Sequence, residues 1–108
     1  MKNEEFISDS NFNEVENCKE PKFVEYFATW CPHCQRMAPV ISKLAEEYNG
    51  KVKFFLVDVD EAPDSTDAAG VTGTPTMFFF AKDAAEHSER LVGEKSPEEL
   101  KTELNKIA

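Results

Sequence analysis

Three short segments of the chain are apolar on both faces, and that narrows the possible folds more than any other feature. They are Phe23-Val24-Glu25-Tyr26-Phe27-Ala28, the run from Val52 to Val59, and Thr76-Met77-Phe78-Phe79-Phe80-Ala81. Side chains of a strand alternate between faces, so such a strand belongs inside a sheet covered above and below. The intervening segments supply the cover. Met37, Val40, Ile41, Leu44, Ala45 and Tyr48 recur at i, i+3, i+4, i+7, i+8 and i+11, one apolar stripe of a helix. Pro32 fits the first helical position, where its missing N–H costs nothing, and Asn49-Gly50 caps the other end. Pro39 lies inside this helix and is expected to kink it.

The remaining elements are shorter. Glu5-Phe6-Ile7 reads as a strand, and Ser8-Asp9-Ser10 offers cap oxygens to a short helix through Phe12 and Val15 that Pro21 ends. Asp64 to Ala69 reads as a helix stopped by Gly70. Arg90-Leu91-Val92 is a strand able to pair as a hairpin with the Thr76–Ala81 run. Ser96-Pro97-Glu98-Glu99 opens the last helix as a capping box, with Leu100, Leu104 and Ile107 as its buried stripe. The alternation argues for an α/β sheet with helices on both faces, the first three strands parallel and the final hairpin antiparallel. With 108 residues and neither repeat nor linker, residues 1–108 read as one domain.

The formal charge of −9 repels phosphate backbones and argues against nucleic acid as a partner. It reads as a solubility device, with steering toward basic protein substrates as the alternative. No run approaches the ~18 apolar residues of a membrane helix. The polar, acidic Met1-Lys2-Asn3-Glu4-Glu5 does not read as a signal peptide. If Met1 is the native start, the protein is expected in the cytoplasm; if a leader has been removed, it is exported.

Three cysteines are too few for a disulfide scaffold. Cys31-Pro32-His33-Cys34 directly follows a buried strand and opens the long helix. At i and i+3 in a helical turn, two sulfurs share a face at a separation a disulfide accepts. Cys31 is the expected N-cap, its sulfur facing the free N–H groups of the first turn, which favour a thiolate and hence a nucleophile. Cys34, one turn in, suits the resolving role. A cationic His33 beside Cys31 would stabilise the thiolate further and make the disulfide more oxidising; otherwise His33 points to solvent. A zinc site has too few further candidates in His33, Cys18 and His87, so no metal or other cofactor is expected. A purely structural disulfide would close too short a loop to add much.

Other residues fit around this pair. Glu25 interrupts an apolar strand on the face of Phe23 and Phe27. Burial is expected to raise its pKa, which fits it to take a proton from Cys34; the alternative is a solvated glutamate. Thr74-Pro75-Thr76 marks a turn or a cis bond entering the last apolar strand, leaving a backbone group free to pair with a substrate. Trp30 offers an apolar platform or ordinary packing. Cys18 reads as a small packed residue and His87 as a solvated one.

Ala28-Thr29-Trp30-Cys31-Pro32-His33-Cys34 resembles the active-site segment of the thioredoxin superfamily, with Pro39 matching its helix-kinking proline. Gly70-Val71-Thr72-Gly73-Thr74-Pro75-Thr76 is similar to its glycine and cis-proline loop, and Gly93 to its late glycine. The resemblance implies the thioredoxin fold, a central mixed sheet of about five strands flanked by about four helices, with Pro75 cis against the cysteine pair. It implies that Cys31 attacks substrate disulfides, that Cys34 resolves, and that Glu25 is the family's buried acid. Trp30, Pro32, Thr74, Pro75 and Gly93 then form the substrate-binding surface. It also implies protein disulfide substrates, a flavin-dependent reductase as partner, and a monomer.

Three departures bear on the direction of electron flow. Pro32-His33 is the dipeptide of DsbA-type oxidants, Leu56 replaces a lysine that usually neighbours the buried acid, and Phe27 replaces a common tryptophan. Glutamate at position 25 is similar to protein disulfide isomerase domains. Potentials run from about −270 mV for thioredoxin through about −180 mV for the isomerase to about −120 mV for DsbA, and this chain is expected above the first value. The reading is a thioredoxin-type reductase of protein disulfides. Its rivals are an exported oxidase or isomerase, a non-catalytic binding module and a redox sensor using Cys18.

Overall fold

The structure is a computed structural model that describes residues 2–108; Met1, on which the reading of the chain's start rests, lies outside the described residues. Five strands form the core: β1 (Glu4–Ile7), β2 (Lys22–Phe27), β3 (Lys53–Asp58), β4 (Thr76–Phe80) and β5 (Glu89–Val92). Four helices flank them: α1 (Asn13–Asn17), α2 (Pro32–Glu47), α3 (Pro63–Ala68) and α4 (Pro97–Ile107). The sheet order is β1-β3-β2-β4-β5. β1, β3 and β2 run parallel, β4 is antiparallel to β2, and β5 is antiparallel to β4. This is the mixed sheet expected of a thioredoxin fold.

Alternation along β2 sorts its side chains between two cores. Phe23 meets Met37, Ile41 and Leu44 of α2 and Leu100 and Leu104 of α4 on one face. Val24 and Tyr26 meet Val15 of α1 with Ile7, Phe55 and Val57 on the other. Leu100 and Leu104 are fully buried, and burying each such side chain contributes about 1.5–3 kcal/mol.

The first helical unit is divided where one helix was expected. Ser8 caps a 3-10 turn over Asp9–Asn11, and Asn11 returns the bond to the Ser8 backbone. The helix proper begins only at Asn13. Asp9 instead reaches across to α3, accepting from the Ser65 hydroxyl and from the backbone N–H groups of Asp64 and Ser65. α2 runs unbroken through Pro39. Gly50 follows it at φ +84, a left-handed turn that glycine adopts without strain.

Candidate active site

β2 ends at Phe27, and a short turn delivers Cys31 to the N-cap of α2 with Pro32 at the first helical position. Cys31 and Cys34 are each 5% exposed, and both are free thiols. The loop before β4 approaches from the other side. Its Thr74–Pro75 bond is cis, and the Thr74 carbonyl oxygen lies 3.5 Å from the Cys31 sulfur. The Gly93 N–H donates to the Pro75 carbonyl at 2.8 Å, which holds the loop after β5 against the proline loop.

Electrostatics separate the two sulfurs. Cys31 is brought down to about 7: hydrogen bonding from Thr74 lowers it most, burial opposes, and the N–H groups of Cys34 and His33 lower it further. The Thr74 carbonyl accepts only from a protonated sulfur and the Thr74 hydroxyl donates to an ionised one, so either form finds a partner there. Cys34 moves the other way, pushed up to about 11 by burial and by its neighbour Cys31.

Glu25 is 4% exposed and stands opposite Leu56 on β3 and Met77 on β4. Burial, then the charges on Cys31 and Glu4, push its carboxyl up to about 7. Glu25 and Cys34 line one cavity of about 210 Å³, with Lys2, Glu4, Phe27, Ser42 and Leu56 among its other walls. Leu56 contributes no charge to that cavity, whereas Lys2 supplies one from the N-terminal segment.

The His33 imidazole is paired with Glu94 and Arg36. Its Nδ1 lies 3.0 Å from Glu94 Oε1 and 2.9 Å from Arg36 Nη2, and its side chain is 57% exposed. Trp30 is 66% exposed, and its indole N–H donates to Asp60 at 2.9 Å.

Thr74, Pro75, Pro32 and Gly93 thus meet around Cys31. Cys18 does not: its sulfur lies 3.9 Å from the Glu20 carbonyl and lines a larger cavity, about 690 Å³, that contains neither Cys31 nor Cys34. His87, expected to be solvated, is exposed, with its ring edge-on to Phe78 and Phe80 at that cavity. Glu94, Arg36, Asp60 and Glu4 escaped the sequence reading. Arg36 lies three residues after His33 on one helical face, a signal available in the sequence; Glu94, 61 residues away, carried none. Among the described residues, no group of three or more His, Cys, Asp and Glu side chains is placed to hold a metal ion. Nor is any helix there long and apolar enough to cross a membrane.

A comparison with known families matches residues 3–106 to the thioredoxin family model. The thioredoxin of Staphylococcus haemolyticus is 39% identical over 101 residues, 93% of this chain and 93% of that protein. That of Alicyclobacillus acidocaldarius is 32% identical over 98 residues, 91% of each. The chloroplastic M-type thioredoxin of Brassica napus is 32% identical over 102 residues, 94% of this chain but 56% of that protein. The chain likewise spans 44% of the M-type protein of Pisum sativum. The chain belongs to the thioredoxin family.

Proposed function

We propose that this chain is a thioredoxin-type thiol–disulfide oxidoreductase that reduces disulfides of protein substrates. The observation that carries the reading is the opposed behaviour of the two sulfurs, Cys31 brought down toward neutrality and Cys34 held up by burial. The Cys31 thiolate attacks one sulfur of a substrate disulfide. The substrate S–S bond breaks, a Cys31–substrate disulfide forms, and the first substrate sulfur leaves as a thiolate that takes a proton. Glu25, ionised, then accepts the Cys34 proton through their shared cavity. The Cys34 thiolate attacks the Cys31 sulfur, the second substrate thiolate leaves, and two electrons have passed to the substrate. A two-electron donor, in the family reading a flavin-dependent reductase, restores the dithiol.

Substrate would lie along Trp30, Pro32, the Thr74–Pro75 loop and Gly93, where exposed Trp30 and Val92 supply apolar surface. We assign the chain to a reducing compartment and to a monomer. The exported oxidase or isomerase is the second reading, favoured by the Pro32-His33 dipeptide.

Reduction of insulin disulfides with dithiothreitol as electron source tests the reading. Cys31→Ser abolishes turnover, and Cys34→Ser accumulates the mixed disulfide. No insulin turnover by the unaltered chain, with full protection of a client protein retained by the Cys31→Ser, Cys34→Ser double variant, would leave the chain a binding module.

A further inference from the structure

His33 sits between the two sulfurs in sequence, yet its ring is tied to Glu94 and Arg36 rather than to either sulfur. One nitrogen, Nδ1, faces both Glu94 Oε1 at 3.0 Å and Arg36 Nη2 at 2.9 Å. These contacts belong to different proton states. A protonated Nδ1 donates to the carboxylate, and a bare Nδ1 accepts from the guanidinium. The ring therefore has a partner in the same place whether neutral or cationic.

The clamp is itself anchored twice. Arg36 Nε donates to both Glu94 oxygens, at 3.1 and 3.3 Å. Arg36 first, then His33, holds the Glu94 carboxyl below the usual carboxylate range. Glu94 follows Gly93, whose φ of +92 and bond to the Pro75 carbonyl fix the loop against the one that touches Cys31.

A cation beside Cys31 stabilises the thiolate, and a stabilised reduced form makes a disulfide more oxidising. A carboxylate that orients the ring and balances its charge works against both effects. We propose that Glu94 is a positioning residue that holds His33 away from Cys31 and keeps the Cys31–Cys34 disulfide less oxidising than its Pro-His dipeptide would otherwise make it. The proposal rests on the oxidoreductase reading and accounts for that dipeptide in a reductase. Arg36 serves as the brace that orients Glu94.

The test is equilibration of the full chain with mixtures of reduced and oxidised glutathione at neutral pH and low salt. Two glutathione thiols are oxidised to one disulfide as the Cys31–Cys34 bond is cleaved to two thiols, so two electrons and two protons move together. Every protein carries Cys18→Ser, and the reduced fraction is read for the otherwise unaltered chain, Glu94→Gln, His33→Ala and the pair. Glu94→Gln shifts the equilibrium toward the dithiol by up to about fivefold, the range of an exposed ionic contact, or about 20 mV for a two-electron couple. In the His33→Ala background the same change moves it less than about 1.5-fold, because the residue acts through the ring. No shift, a shift toward the disulfide, or an equal shift in both backgrounds overturns the proposal while reversible titration keeps the oxidoreductase reading. A chain that forms no reversible Cys31–Cys34 bond at any ratio overturns both.

Discussion

Each face of the sheet carries a cavity, a buried ionisable side chain from β2 and a cysteine, but the two faces are built to opposite ends. On the α2 side, Glu25 and Cys34 share a space of about 210 Å³. On the α1 side, Lys22 and Cys18 line one of about 690 Å³. Lys22, 6% exposed, is satisfied: its ammonium donates to the carbonyls of Val15 and Cys18 and lies 4.9 Å over the Phe80 ring. It closes the C-terminal end of α1, where free carbonyls favour a cation. Among the described residues Glu25 has no such partner; burial and like charges act on it. The cysteines differ in the same sense, Cys31 and Cys34 standing at a helix N-terminus and Cys18 at a C-terminus. A buried charge with its hydrogen bonds made is architecture, while one left unpaired is poised to gain or lose a proton. Cavity size does not separate the two.

Glu25→Gln sharpens the contrast most. It removes the proton acceptor and slows release of the Cys31 mixed disulfide by about 10²-fold, as read by rapid-quench trapping of the Cys31–substrate adduct. Its formation from Cys31 stays within about twofold, since the groups that most lower the attacking thiol, at Thr74 and the start of α2, are retained.

The same residue shapes stability. A carboxyl raised from 4.5 to about 7 binds its proton more tightly folded than unfolded. Folding stability therefore falls as pH rises between those values and levels off above them, a loss of about 3 kcal/mol. Urea unfolding at pH 4.5 and at pH 8 measures it. Glu25→Gln cancels this component, which makes the variant the more stable protein at pH 8.

The other face responds in the opposite currency. Lys22→Met leaves two carbonyls without their donor and costs about 2 kcal/mol in urea unfolding, with turnover unchanged. Cys18→Ser is the smallest change, within about twofold in turnover and about 1 kcal/mol in stability. A large loss of turnover in either variant would erase the distinction between the faces.

Most of the architecture was legible in periodicity. The strand containing Glu25 and the stripe from Met37 to Tyr48 both follow from side-chain spacing, and Glu25's face from alternation. Division of the first helix was not, because Asp9 is drawn off by Ser65, 56 residues away. Lys22 gave no signal, since a lysine at a strand's first position reads as solvated until α1 is seen folding its carbonyls onto it. The cysteine pair was legible as local chemistry, and the Thr74-Pro75 bend as a backbone group free for substrate, to which the family resemblance added the packing of Pro75 against the pair. Glu94 on His33 came through neither, because it depends on where the loop after β5 lands.

The central claim is that two thiols one helical turn apart behave as different chemical species. The pH dependence of iodoacetamide alkylation of the reduced chain, with the site of modification read by mass spectrometry, tests it most directly. The account predicts a half-maximal rate near pH 7, with Cys31 modified and Cys34 spared. A midpoint at the ordinary thiol value of about 8.5, or equal modification of both cysteines, would contradict it.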